Sequence, residues 1–353
     1  MNTPELIQEY SRYTRRRVVF ILFVILSIIF VGLYAVVKGA AGISLADIFL
    51  VFTGRGDPAS EQIILNIRLP RILAALLAGL ALSSSGAVMQ SLLRNPLASP
   101  FTLGISGAAA FGAAFAIVMF GSAGFALLPW LDEQYIVMFS AFAWSMVSTG
   151  FILAIAKYQG ATPEVMILAG IAIGSLFGAG VSALQYVATD VELAAIVFWM
   201  FGDLGRAAWQ DVVVLLVLLI PILIFFMVNS WSYKALQSGD EFAKSLGVNA
   251  SRMRIIGMLA ASLATAIVVS YYGIIAFVGL VVPHIVRRFI GGDDSFLIPA
   301  SALFGAVFLL LSDTVARTLF SPVILPVGIL TSFIGAPLFL FLLLKGMGRG
   351  YWS

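Results

Sequence analysis

The sequence predicts an all-α, polytopic membrane protein with about ten transmembrane helices. Its 353 residues are 61% hydrophobic and only 10% charged, and the mean hydropathy is +1.07. A soluble globular chain is about half apolar and about a quarter charged. The apolar runs approach the roughly 20 residues that a helix needs to cross a bilayer, without the alternation of an outer-membrane barrel. This composition excludes a soluble enzyme, a nucleic-acid-binding protein and a disordered chain.

Hydropathy places ten spans along the chain. They lie near residues 18–38, 63–92, 103–121, 135–157, 164–187, 211–229, 254–272, 274–289, 297–316 and 326–344. The first run is longer than the apolar region of a cleaved signal peptide, so we interpret it as a retained span. The eighth is short and carries Pro283, so we do not expect a straight crossing helix. We expect a tail at 1–17, one transmembrane domain at 18–346 and a second tail at 347–353.

The basic residues predict the orientation of these spans. Ten spans with the N-terminus inside leave only six of the 20 lysines and arginines outside: Lys38, Arg55, Arg68, Arg71, Arg206 and Arg317. Loops on the cytoplasmic side of a membrane carry the excess of lysine and arginine. The pattern therefore predicts a multi-pass protein of the cell (inner or plasma) membrane with both termini in the cytoplasm.

Several kinds of chemistry are absent from the sequence. There is no cysteine and only one histidine, which excludes disulfides, thiol catalysis and a multi-histidine metal site. No G-x-x-x-x-G-K-[ST] pattern occurs, so the chain has no P-loop for a nucleotide. We predict no bond chemistry and no bound cofactor, and any energy that the protein uses must come from a partner or a gradient.

Small residues are concentrated in two of the predicted spans. Gly170, Gly174 and Gly178 recur every four residues and so share one helix face, and the run 83–86 places Ser85 and Gly86 together in the second span. Small residues let a neighbouring backbone approach closely. Two interpretations stay open: close helix packing, or the wall of a transport pathway.

One extended polar stretch, residues 229–254, separates the sixth and seventh spans. Within it, residues 240–247 have the pattern of a short helix, with Ser238 or Asp240 as its cap and Gly247 at its end. Phe242, Ala243 and Leu246 are expected on one face. Because so short a helix is marginal in water alone, it needs a partner surface, either its own bundle or a cytoplasmic subunit.

A series of motifs resembles the FecCD family, the permease subunits of binding-protein-dependent ABC importers (of type II) for ferric siderophores, haem and cobalamin. The matching stretches are 68–71 (RLPR), 85–90 (SGAVMQ), 94–100 (RNPLASP), 103–108 (LGISGA), 168–172 (LAGIA), 277–284 (FVGLVVPH), 313–317 (DTVAR), 326–329 (PVGI) and 335–339 (GAPLF). They follow the family's order from about residue 60 to 345. One departure is Ile324, which stands where the family commonly has an acid before LPVG.

The resemblance implies partners and site residues. It implies a second permease copy or a paralogue, two cytoplasmic ATPases that use ATP and Mg, and an external substrate-binding protein. The coupling loop would be about 230–254, and its ATPase-coupling residues would be Asp240, Glu241, Phe242, Ala243, Lys244, Leu246 and Gly247. Candidates for docking the binding protein are Arg68, Arg71 and Arg317, although Asp313 and Arg317 are also spaced for a local ion pair. Pathway or packing candidates are Ser85, Gly86, Gln90, Gly170, Gly174 and Gly178.

The resemblance also sets the expected substrate, a metal chelate and first a ferric siderophore, with cobalamin, haem and molybdate as alternatives. Two other classes of membrane protein are alternatives to this importer. Residues 104–107 (GISG) with His284 resemble a rhomboid intramembrane protease, in which a Ser–His pair would be the nucleophile. Asp313 is the one acid well inside a span, where a gradient-driven transporter would place its coupling group.

Overall fold

The computed structural model describes residues 3–39, 42–125 and 132–346, and within these ranges the regular elements are helices. They are α1 Thr3–Val37, α2 Leu45–Phe52, α3 Pro58–Glu61, a π-helical turn Gln62–Arg68, α4 Leu69–Leu92, α5 Ile105–Phe125, α6 Glu133–Gln159, α7 Pro163–Val187, α8 Asp190–Met200, α9 Trp209–Val228, α10 Ser230–Gln237, α11 Asp240–Ser245, α12 Ala250–Tyr272, α13 Val278–Ile290, α14 Asp294–Thr318 and α15 Val327–Gly346.

The predicted all-α membrane fold is confirmed. Within the described ranges, seven helical segments are long and apolar enough to cross a bilayer, and two shorter apolar helices lie at Ile105–Phe120 and Val327–Leu342. Together with α13, these segments correspond to the ten predicted spans, with ends that differ by a few residues. The largest difference is at α1, whose helix extends back to Thr3.

The eighth predicted span is a short helix that follows an unwound segment. α13 has 13 residues, or about 20 Å, and the apolar core of a bilayer is about 30 Å thick. α13 begins at Val278, a few residues after its predicted start near 274, because Gly273 (φ +75°) ends α12 and residues 273–277 are irregular up to the left-handed Phe277 (φ +66°). Irregular backbone is tolerated at this depth only where protein encloses it.

Two other backbone segments enclose this unwound stretch. The Asp203 N–H donates to the carbonyl of Tyr272 at 2.8 Å, and the Gly328 N–H donates to the carbonyl of Gly202 at 3.2 Å. A Cβ atom on either Gly202 or Gly328 would collide with the carbonyl of Ile274. The three segments therefore meet at one end of the bundle, at a spacing that requires glycine.

α4 lies at the centre of the bundle and α1 at its edge. In the most apolar window of each segment, 83% of the residues are buried for Pro58–Leu92, which contains α4, but only 11% for α1, so most side chains of α1 are exposed at the edge of the bundle. α4 packs most extensively against α14. The two helices touch at Gly79 and Gly305, where a Cβ atom on Gly79 would collide with the Gly305 carbonyl.

Two short helices lie outside the ten spans. α8 begins at Asp190 because Thr189 and Glu192 form a reciprocal capping box at its start. α10 was not predicted separately. It precedes α11 in the polar stretch and buries Tyr233 and Leu236 completely.

Candidate coupling surface, arginine cluster and pathway

The predicted ATPase-coupling residues and the predicted docking arginines lie near opposite ends of α4. We call the end formed by α10, α11 and the start of α14 the loop face, and the end that carries Arg68, Arg71 and Arg317 the arginine face. α4 has 24 residues and so separates the two faces by about 36 Å.

The predicted short helix on the loop face is present as α11. Gly247 has a φ of +81° and its N–H donates to the carbonyl of Lys244 at 3.0 Å, so its predicted role as the helix end is confirmed. The predicted cap is wrong, because Gly239 (φ +113°) precedes the first turn and no side chain caps it. Asp240 is drawn away from the cap position by an ion pair.

That ion pair fixes α11 to the bundle. Two guanidinium nitrogens of Arg254 donate to the two carboxylate oxygens of Asp240, with Nη1 to Oδ2 at 2.7 Å. The same guanidinium donates to the carbonyls of Leu92 at 3.0 Å and Ala161 at 3.1 Å. The hydrogen bond from Arg254 lowers the pKa of Asp240 below its ordinary value of 3.8. Asp240 therefore holds the helix in place, while its side chain stays 43% exposed and borders the surface beside α11.

The apolar residues of α11 point in two directions. Phe242 and Leu246 are 51% and 44% exposed, whereas Ala243 is fully buried. The prediction that all three share one face is therefore wrong, because Ala243 packs against the bundle. Glu241 and Lys244 are exposed beside the outward pair. They line a surface groove of about 470 Å³ together with Gly247 and residues 248–251.

On the arginine face, the three predicted docking residues are buried. Arg71 donates to both carboxylate oxygens of Asp313, with Nη2 to Oδ1 at 2.7 Å, and Arg317 Nε lies 3.1 Å from Asp313 Oδ2. The predicted Asp313–Arg317 pair is thus confirmed. Arg68 Nη1 donates to the carbonyls of Val36 and Val37, the latter at 2.9 Å.

This burial corrects the expectation that these arginines are surface cations. Arg68, Arg71 and Arg317 are only 4%, 7% and 6% exposed. Arg68 and Arg317 serve the last carbonyl groups of α1, which have no partner within their own helix. In this structure the three guanidinium groups are turned toward the chain itself. Sequence reasoning missed this because it did not weigh the unpaired end of α1 as an acceptor.

The pathway candidates divide into packed and open positions. A Cβ atom on Gly170 would lie 2.9 Å from the Leu103 side chain, and one on Gly174 would lie 2.9 Å from Gly104 Cα. Gly178 has no atom within 4 Å of that position. The packing interpretation therefore holds for Gly170 and Gly174, whereas Gly178 opens onto a face of α7 with other exposed small residues, at 172, 175, 179 and 182.

The candidates on α4 are packed inside the bundle. Ser85, Gly86 and Gln90 are buried, and a Cβ atom on Gly86 would collide with the Gly279 carbonyl. Gln90 Nε2 donates to the carbonyls of Gly279 and Leu280 at 3.4 and 3.3 Å. These residues hold the first turn of α13 against α4.

His284, the candidate base of the protease alternative, is buried between two segments of the bundle. His284 is 4% exposed, and its ring N–H at Nε2 donates to the Pro96 carbonyl at 2.8 Å. Its ring centroid lies 6.0 Å from that of Phe339. His284 therefore joins α13 to the loop after α4.

Comparison with known proteins gives the class and the family. Residues 25–345 match the FecCD transport family. The chain is 51% identical over 340 residues to an ABC transporter permease protein of Methanocaldococcus jannaschii, covering 96% of this chain and 97% of the other. It is 39% identical to the hemin transport system permease of Yersinia pestis, covering 92% and 94%. A solved structure described as an inward-facing metal-chelate type ABC transporter superposes with a TM-score of 0.80 at 32% identity, covering 92% and 98%.

Fold and comparisons together define a multi-pass permease of an ABC importer of the metal-chelate type. The chain belongs to the FecCD transport family, as its motifs predicted. Permeases of this family are transport subunits that work with ATPase and substrate-binding partners. Two further relatives, 36% and 37% identical, are named for vitamin B12 import in Vibrio vulnificus and Fe(3+)-citrate import in Bacillus subtilis.

Proposed function

We propose that two copies of this chain, or this chain and a paralogue, form a membrane channel that carries a metal chelate into the cytoplasm. Relatives are named for hemin, vitamin B12 and Fe(3+)-citrate, and each of these ligands is a metal held by an organic group. We place ferric chelates, siderophores included, first among the substrates. Molybdate is the alternative without an organic ligand.

The exposed pair Phe242 and Leu246 is the observation that supports coupling of this permease to an ATPase. Two apolar side chains are about half exposed on a polar loop, on a helix that Arg254 holds from below. An exposed apolar pair on a rigid support is typical of a docking surface. We propose that this pair enters a cleft on the partner ATPase, which binds ATP and Mg and closes against the loop face.

The double variant Phe242→Asp with Leu246→Asp tests this docking. It is expected to abolish ATPase co-purification and chelate uptake while the permease still folds, because both changes lie on solvent-exposed positions. Tyr158→Asp is the matched control, since Tyr158 is 88% exposed at the end of α6, near the same face. Intact co-purification and uptake in the double variant would refute the docking.

The substrate is tested by uptake in wild-type and deletion cells. Radiolabelled ferric siderophore, ferric citrate, haem, cyanocobalamin and molybdate are compared before and after ATP depletion. Loss of one ATP-dependent uptake on deletion identifies the substrate. Uptake that survives ATP depletion but stops with an uncoupler would instead support a gradient-driven transporter.

The binding protein is proposed to deliver substrate at the arginine face. Reversing Arg68 and Arg71 to Glu distinguishes two roles for them. A direct docking role predicts weaker association at low salt with an unchanged melting temperature, because unscreened charges attract over longer distances. Burial favours the other result, a lower melting temperature, because each guanidinium would lose its partners inside the chain.

A further inference from the structure

Asp294, the first residue of α14, is a buried carboxylate that joins three elements on the loop face. It has no exposed surface. Its Oδ1 accepts a hydrogen bond from Ser91 Oγ on α4 at 2.8 Å, and both oxygens accept from Gln237 Nε2 on α10 at 3.1 and 3.0 Å. These hydrogen bonds are enclosed by protein, so water does not compete for the groups that make them.

The preceding residue makes a second attachment. Asp293 Oδ2 lies 3.0 Å from Lys234 Nζ on α10 and 3.1 Å from Arg17 Nη1 on α1. The side chain of Lys234 is half exposed, so this pair is screened by water and contributes less than a buried one. Asp294 is therefore the stronger of the two connections between α10 and α14.

α10 packs against α11 and lies between it and the bundle. Its last residue, Gln237, lies three residues before Asp240, and α10 packs on both α4 and α14. The contacts of α11 itself with the bundle are few and are mainly with α12. α11 is therefore linked to the bundle by two routes, through the Arg254–Asp240 pair to α12 and the end of α4, and through α10 to α4 and α14.

The opposite end of the α4–α14 pair also ends in an ion pair. Arg71 on α4 binds Asp313 on α14, and its Nη2 lies 3.6 Å from Asp203. Asp203 belongs to the segment that borders the unwound start of α13. Between these ends the two helices touch at glycines, and such close packing allows little sliding.

We propose that Asp294 is a positioning residue that fastens α10 to the α4–α14 pair, so that closure of the ATPases moves this pair as one body. This inference rests on the proposed coupling role of α11. It assigns to Asp294, Gln237 and Ser91 a second connection between the coupling segment and the bundle, beside the Arg254–Asp240 pair. When the Asp294 connection is lost, only that pair still links α11 to the bundle, and part of the ATP is hydrolysed without transport.

Variants at two positions test this connection. Asp294→Asn removes the charge and turns an amide N–H toward the Gln237 amide. Adding Gln237→Glu restores a donor–acceptor pair with its direction reversed and also restores the net charge. Gln237→Ala is a milder variant that leaves the buried carboxylate in place. Asp57→Asn, at an exposed cap of α3 on the arginine face, is the matched control.

Two readouts separate geometry from coupling. A nitroxide at Lys244→Cys, introduced into a chain without cysteine, reports the mobility of α11 in the permease alone. ATP hydrolysed per chelate transported is measured in the complex with its ATPase and binding protein, using haem, cyanocobalamin and ferric citrate as probes. Asp294→Asn is expected to mobilise the label and to raise that ratio severalfold, because Gln237 loses one of its two acceptor oxygens at residue 294 while the Arg254–Asp240 pair remains. Gln237→Ala should do both to a smaller extent, and the double exchange should reverse both.

Each outcome has one meaning. An unchanged label spectrum in Asp294→Asn overturns the connection, and so does a mobile label with an unchanged ATP ratio, because Asp294 would then be only structural. If Asp294→Asn does not fold, Gln237→Ala decides on the same two readouts. If the wild-type complex transports none of the three chelates, the proposed function fails, and the label spectrum still decides whether Asp294 holds α10.

Discussion

At the scale of single residues, the charges inside this membrane protein are used to hold helix ends. Arg254 is 1% exposed and Asp313 is fully buried, and each contacts groups from more than one element. Removing a charge from water costs several kcal/mol unless partners replace the water. The partners observed here therefore explain how these ionised side chains persist at the ends of apolar helices.

We predict that Asp313→Ala destabilises the protein severely. It leaves Arg71 and Arg317 buried without their shared carboxylate, a change that costs about 3–5 kcal/mol at comparable sites. The melting temperature of the purified protein in detergent should fall clearly. Arg55→Gln, at an exposed position on the arginine face, is the control and should melt with the wild type. Equal melting of all three proteins would contradict this account of the cluster.

A second prediction concerns pH and α11. Because the pKa of Asp240 is lowered in the folded protein by its hydrogen bond from Arg254, this attachment is fully present above the ordinary pKa of 3.8 and is lost as the pH falls through the lower folded value. A nitroxide at Lys244→Cys should therefore gain mobility as the pH falls below about 4. Asp240→Asn should already be mobile above that pH, and a label in Asp240→Asn that is as immobile as in the parent protein would contradict the pair.

At the scale of elements, glycine decides which helices touch and which stay apart. Gly79 and Gly86 bring α4 against α14 and α13 where no Cβ atom fits. Gly178 has the same spacing in the sequence as Gly170 and Gly174 but faces open space. Lipid does not drive apolar helices together as water does, so close packing of small residues carries the association.

These contacts predict opposite results for one substitution at two sites. Gly86→Val should lower the melting temperature sharply, because the side chain would enter the backbone of α13. Gly178→Val should leave the melting of the protomer unchanged. If the open face of α7 meets the second copy, Gly178→Val should also reduce the dimer fraction in native mass spectrometry. Similar melting of the two variants would contradict the described packing of α4.

At the scale of the whole molecule, the two faces differ in charge and in architecture. The loop face carries α10, α11 and exposed basic residues, among them Lys234, Lys244 and Arg252. The arginine face carries the three buried arginines and the enclosed unwound segment before α13. The excess of basic residues predicts that the loop face lies in the cytoplasm, which agrees with the proposed positions of the ATPases and the binding protein.

Labelling of introduced cysteines tests this orientation without background, because the chain has no cysteine. A membrane-impermeant maleimide added to intact spheroplasts should label Arg55→Cys at once. It should label Lys244→Cys only after the membrane is permeabilised. Both positions are exposed, so burial cannot cause a difference. Labelling of Lys244→Cys in intact spheroplasts would reverse the orientation.

The sequence by itself determined the class of fold, the approximate limits of ten apolar segments and the family. These follow from hydropathy and from short motifs, which are local properties of the chain. It also located α11 and its end at Gly247, because caps and turns depend on neighbouring residues. The ion pair of Asp313 with Arg317 was predictable for the same reason, since the two lie one helical turn apart.

Only the tertiary structure decided which polar residues face outward and which are enclosed. The sequence predicted Arg68 and Arg71 to be surface cations. In the structure, Arg68 instead binds the end of α1 and Arg71 binds Asp313. The structure also shows that Asp240, predicted as a coupling residue, pairs with Arg254 while its side chain stays 43% exposed. Asp294 joins residues 203 and 57 positions away in the chain. Whether a charged side chain is exposed or enclosed depends on its distance from partners that are remote in sequence. Only the folded structure sets that distance.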